Sequence, residues 1–151
     1  MAERSAEGPK IVLIDTNVIV KGAIDHVNNV ASPEAKIWFA FLHGGLKAAF
    51  SDRLLSEIVT VARRLMGKDF ASKLRSQIIQ RSEIVPNAEL LPHILQFIKK
   101  VPTEDIVHAA LAAATGADYI VSNNREFLRS LDAKSGFKCV APKSFVEMFH
   151  L

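Results

Sequence analysis

The sequence predicts an α/β fold of three layers, α/β/α, with a central parallel sheet covered by helices on both faces. Two observations carry that expectation. Short apolar runs rich in β-branched residues, Ile11-Val12-Leu13-Ile14 first among them, alternate with longer stretches of helical periodicity along the chain. The runs are also continuously apolar, the pattern of strands buried on both faces.

The elements follow in order. A polar tail, residues 1–8, is expected to be flexible, and residues 9–151 form one domain. Lys10–Ile14 reads as a central strand and Asn17–Ile24 as a helix or helical turn. Val27–Pro33 is loop-like. Ser32 then suits an N-cap, with Pro33 in the first turn of a helix reaching His43 and stopping at Gly44-Gly45. Leu46–Phe50 is a second strand. Ser51 or Asp52 caps a helix to Met66, which Gly67 punctuates, and Asp69–Arg81 is a more polar helix. Ile84-Val85 is a short strand ended by Pro86. Leu90–Lys100 reads as a helix with Pro92 in its first turn. Pro102-Thr103 starts a helix that Gly116 ends. Tyr119–Ser122 is a strand, Arg125–Leu131 a short helix, Lys138–Val140 a strand and Pro142–Phe149 a last helix.

A length of 151 residues suits one domain with a sizeable core. Hydrophobic content of 49% against 23% charged excludes a disordered chain. A net charge of +3 permits nucleic acid as a partner without establishing it. The single cysteine, Cys139, rules out an intrachain disulfide or a Cys-based zinc site and reads as a small buried residue in a reducing compartment. The charged N-terminus resembles no signal peptide, and no apolar stretch is long enough to span a bilayer, so a cytoplasmic protein is expected.

Three acids border sequence that reads as core. Asp15 ends the first apolar run, Glu57 lies within Leu54-Leu55-Ser56-Glu57-Ile58-Val59, and Asp105 opens Ile106-Val107-His108-Ala109-Ala110-Leu111. A carboxylate there is costly unless it is paired or binds a cation. Acids from separate segments at the edges of core elements suit Mg²⁺ or Mn²⁺, which prefer hard oxygen ligands. Three such groups converging without a cation should raise at least one pKa. In doubly wound sheets ligands bind beyond the carboxyl ends of the strands, and both Asp15 and Asn123-Asn124 follow strands.

Each residue also has a plainer role. Asp15 can cap the next helix, Glu57 can pair with Arg53 or Arg64, and Asp105 can be a helix N-terminal charge with Glu104 as a solvated neighbour. His108 suits packing or a surface position better than a hard-oxygen site. Asp118 reads as fixing the start of a strand. Arg63-Arg64 and Lys99-Lys100 read as solvated faces. Ile37-Trp38-Phe39-Ala40-Phe41-Leu42 is apolar nearly all round a helix, which fits either core burial or a contact with a second copy or partner.

Four motifs in order resemble the PIN-domain ribonucleases. Ile11-Val12-Leu13-Ile14-Asp15-Thr16-Asn17-Val18 resembles the first, an apolar strand followed by Asp-Thr-Asn. Ser51-Asp52-Arg53-Leu54-Leu55-Ser56-Glu57-Ile58 resembles the second, Thr103-Glu104-Asp105 leading into His108-Ala109-Ala110-Leu111-Ala112 the third, and Gly116-Ala117-Asp118 through Ser122-Asn123-Asn124-Arg125-Glu126-Phe127 the fourth. The resemblance covers nearly the whole chain. It implies cleavage of RNA phosphodiesters with Mg²⁺ or Mn²⁺, giving 5′-phosphate and 3′-hydroxyl ends. Asp15, Glu57 and Asp105 match the metal-binding acids, Asn124 stands where a fourth acid is frequent, and Thr16, Asn17, Ser122 and Asn123 are supporting or substrate-binding. Many small members resemble the toxin of VapBC-type toxin–antitoxin pairs, which implies an antitoxin partner and a homodimer. The alternatives are an RNA-processing PIN nuclease outside a toxin system and a non-catalytic RNA- or protein-binding module. A phosphotransferase with a nucleophilic aspartate would want a second Asp where Asn17 stands.

Overall fold

The computed structural model describes residues 11–101, 103, 106–124 and 137–151. Their strands are β1 (Ile11–Ile14), β2 (Lys47–Ser51), β3 (Glu83–Val85), β4 (Tyr119–Val121) and β5 (Lys138–Val140). Their helices are α1 (Thr16–Val27), α2 (Pro33–Leu42), α3 (Asp52–Met66), α4 (Lys68–Arg81), α5 (Asn87–Phe97), α6 (Ile106–Thr115) and α7 (Pro142–Phe149). The expected tail, Glu104, Asp105, the expected helix Arg125–Leu131 and Glu126 lie outside the described residues.

The sheet is parallel throughout, in the order β3-β2-β1-β4-β5. The central strand β1 is the most apolar, and Val12, Leu13 and Ile14 are buried. Helix α6 packs on β1 and β2 with α5 against it, while α1, α2, α3, α4 and α7 form a second connected set. Those are the two helical layers of an α/β/α fold. Phe41, Phe50, Ile58, Leu74, Ile78 and Phe145 are fully buried in the common core.

Local chemistry sets most boundaries. Ser32 Oγ accepts from the Ala35 N–H at 3.0 Å and Ser51 Oγ from the Leu54 N–H at 3.0 Å, so these hydroxyls cap α2 and α3. Gly67 separates α3 from α4 at φ 90°, a conformation open to glycine at no steric cost. Gly22, buried inside α1, has a different reason: a Cβ there would collide with the Glu34 carbonyl oxygen, because α1 and α2 pack closely.

Three expectations change. Helix α5 starts at Asn87 and ends at Phe97, which places Pro92 inside the helix instead of in its first turn. Burial of Leu90 and Phe97, two turns apart, holds this helix against α6, and packing outweighs the hydrogen bond that Pro92 cannot make. Cys139 is only half-buried, because β5 is the edge strand of the sheet. Helix α2 is not apolar all round in its surroundings: Ile37, Trp38 and Phe41 are buried and Phe39 is half-exposed.

Candidate active site

The strand order places the switch point between β1 and β4: the chain runs outward from β1 through β2 to β3, then crosses to the other side of β1 to form β4. Ligands of such sheets bind outside the carboxyl ends of the strands at that point. Register pairs Ile14 with Val121, so the next residues out, Asp15 and Ser122, emerge side by side. Ser122 Oγ donates to Asp15 Oδ2 at 2.8 Å. The Asp15 N–H donates to Val121 O at 2.9 Å, which extends the ladder one residue beyond β1.

Asp15 is also the N-cap of α1, with Val18 and Ile19 N–H donating to its carbonyl oxygen. Its carboxylate does little capping. A capping side chain takes the N–H of the second or third helical residue, whereas within α1 Asp15 Oδ1 accepts from the Thr16 N–H, at 2.9 Å. His108, in the first turn of α6, brings Nε2 to 3.4 Å from the same Oδ1. The carboxylate thus meets neighbours from β1's own helix, from the end of β4 and from α6.

Those neighbours set its ionisation. Burial raises the Asp15 pKa, but the His108 imidazole, the Ser122 hydroxyl and the Thr16 N–H together outweigh burial and hold it below the ordinary carboxylate value. The rise expected from converging acids therefore does not occur at Asp15. His108, expected to pack or face solvent, is instead a neighbour of the site. The one hint of this in the sequence is its place three residues after Asp105, on one helical face.

The other candidate residues are disposed as follows. Asn124 is exposed and donates its backbone N–H to Ser122 Oγ at 3.1 Å, folding the segment after β4 back over the serine. Asn123 Nδ2 donates to Glu34 Oε2 at 3.2 Å. Glu34, a buried acid in the first turn of α2, had no signal in the sequence beyond its place near the cap. Asn17 is exposed on the first turn of α1. Glu57 is exposed in the second turn of α3 and forms no ion pair with Arg53 or Arg64. Asp118 secures the start of β4 through its backbone, its N–H donating to Ile11 O at 3.1 Å and its carbonyl accepting from the Lys138 N–H at 2.9 Å. Arg63, Arg64, Lys99 and Lys100 are exposed.

Among the described residues, Asp15 offers the kind of ionised carboxylate oxygen that a hard divalent cation prefers. Thr16 Oγ1, next to Asp15 in the chain, is buried without a hydrogen-bond partner among the described residues. Among the described residues no three His, Cys, Asp or Glu side chains are grouped to hold a metal. Asp105, the third expected ligand, lies outside them.

Comparisons with known proteins agree with this architecture. The family model for the PIN domain matches residues 11–126. No curated protein matches the sequence. Among solved structures, PAE2754 from Pyrobaculum aerophilum superposes with a TM-score of 0.58 at 14% identity, covering 95% of this chain and 93% of its own. VapBC2 from Rickettsia felis, bound to a DNA fragment from its promoter, gives 0.57 at 17% identity over 87% of this chain and 98% of its own. VapC20 from Mycobacterium tuberculosis, a toxin that cleaves the sarcin-ricin loop, gives 0.55 at 14% identity over 77% and 92%.

Proposed function

The chain belongs to the PIN-domain family, and from that premise we propose that it is a metal-dependent endoribonuclease, the toxin of a VapBC-type pair. The observation that carries the reading is the Asp15–Ser122 pair at the switch point between β1 and β4. An acid held at that place by a buried hydroxyl has a purpose in a family of nucleases and little as a helix cap.

Asp15, Glu57 and Asp105 would hold Mg²⁺ or Mn²⁺, and the ion when bound would supply a polarised water and positive charge against the scissile phosphate. The chain's own residues do the rest. Ser122 and the Thr16 N–H hold the two oxygens of the Asp15 carboxylate, which stays ionised well below neutral pH. Exposed Asn17 and Asn124 would meet the ribose-phosphate backbone, and Asn123, whose Nδ2 donates to Glu34, would present its amide oxygen. With Asn124 in place of an acid, three carboxylates and one scissile phosphate balance two divalent ions only when RNA is present, so the free protein would hold one ion at most. The products carry 5′-phosphate and 3′-hydroxyl ends.

The partners in this reading are RNA, an antitoxin protein and a second copy of the chain. The homodimer would use α2, where half-exposed Phe39 and Val30 line one hollow; light scattering that finds a monomer at high concentration removes it. No helix among the described residues is long and apolar enough to cross a membrane, and the reading places the protein in the cytoplasm.

The test is incubation of purified protein with single-stranded and hairpin RNA, with Mn²⁺ or EDTA, beside Asp15→Asn and Glu57→Gln. Cleavage should require the metal and both acids. Cleavage that persists in EDTA and in Asp15→Asn overturns the reading. RNA binding without cleavage under every condition favours the non-catalytic module.

A further inference from the structure

The alanine-rich face of α6 is what lets an imidazole reach the strand ends. Ala109, Ala110 and Ala112 are buried, and side chains this short let the helix lie close over β1 and β2. His108 is thereby held with Nε2 3.4 Å from Asp15 Oδ1, the two side chains 14% and 21% exposed. The other oxygen, Oδ2, is taken by Ser122 from the end of β4. Two contacts from two different elements act on opposite oxygens of one carboxylate.

We propose that His108 is a positioning residue for Asp15, its imidazole N–H holding Oδ1 in the orientation from which the carboxylate binds a divalent cation. This rests on the reading of Asp15 as a cation ligand. Carboxylates that bind metals are themselves hydrogen-bonded, and loss of such a partner commonly costs about 10–100-fold in affinity. At 3.4 Å the contact is longer than a well-formed N–H···O bond. Contacts of this kind in ligand-free sites tighten once the ligand is bound. A role confined to packing makes a different prediction: an apolar side chain of similar volume would fill the same space and leave cation binding unchanged.

The experiment measures Mn²⁺ affinity by titration calorimetry, together with the Mn²⁺-induced shift in Tm, for the full chain and for Asp15→Asn, His108→Leu and His108→Gln. Glutamine presents an amide N–H at about the reach of Nε2. Binding should be lost in Asp15→Asn, fall about 10-fold or more in His108→Leu, and be largely recovered in His108→Gln. Binding in His108→Leu as tight as in the parent, or tighter, overturns the proposal and leaves the reading of Asp15 intact. Parent-like binding in Asp15→Asn, or no binding by the parent, overturns that reading and the proposal with it. Should His108→Leu fail to fold, His108→Asn decides: it keeps an amide but shortens its reach, so it should bind Mn²⁺ more weakly than His108→Gln, and equal affinity in the two overturns the proposal.

Discussion

Ser122 and Asp15, 107 positions apart in the chain, share a 2.8 Å hydrogen bond because β1 and β4 pair in register up to the residue before each of them. The serine is fully buried, and its hydroxyl both donates to Asp15 and accepts the Asn124 N–H. It joins the acid at one strand end to the segment that follows the other.

Ser122→Ala therefore removes a donor from a carboxylate and an acceptor from a backbone N–H. The loss should be about 1–3 kcal/mol, the range for buried polar groups left without a partner. Ser122→Thr, which keeps the hydroxyl, should recover part of it. Urea denaturation of the three proteins measures this. A Ser122→Ala midpoint equal to the parent's would show that water replaces the hydroxyl at no cost.

Gly22→Ala tests how closely α1 and α2 pack. Helix propensity alone would favour alanine by about 1 kcal/mol. The new methyl would collide with the Glu34 carbonyl oxygen and lie 3.0 Å from Trp38 Cβ. A backbone carbonyl inside a helix cannot swing aside, so the net effect should be a loss of about 1–3 kcal/mol, as for overpacked cores. A Tm at or above the parent's would mean that the helices separate easily.

Acid sensitivity should come in part from Asp25. Its carboxylate accepts from Lys21 Nζ at 2.5 Å and from Ser32 Oγ at 2.7 Å, and these partners hold its pKa below the ordinary value of 3.8. A depressed folded-state pKa means stability that is complete above the unfolded value and is lost as pH falls through the folded one. Lys21 shifts upward through the same contact, so its share persists below its ordinary value of 10.5 and is lost as pH rises past the folded value. The stability difference between parent and Asp25→Asn should accordingly shrink as pH is lowered below about 3.8. Urea midpoints at pH 6 and at pH 3 check this, and a difference that stays constant refutes it.

The sequence by itself determined the elements whose cause is local. The strand Ile11–Ile14 is apolar without interruption, Ser32 and Ser51 are capping hydroxyls three residues before the N–H groups they accept, and Gly67 is free to take a positive φ. Asp15, Asn123 and Asn124 could be singled out because they stand just past apolar strands, and strand ends are where parallel sheets bind ligands.

Only the tertiary structure decided what depends on contacts between distant segments. That β4 lies beside β1 is a choice among strand orders, settled by how the helices cover the sheet, and it turns two separate motifs into one hydrogen-bonded pair. The place of Pro92 inside α5 follows from the packing of Leu90 and Phe97 and not from the propensity of proline. His108 reads as a packing or surface residue, yet alanines on the same helix bring it to Asp15. The lowered pKa of Asp15 has the same origin. Ionisation depends on neighbours in space, and of the three groups that outweigh its burial only Thr16 is adjacent in the chain.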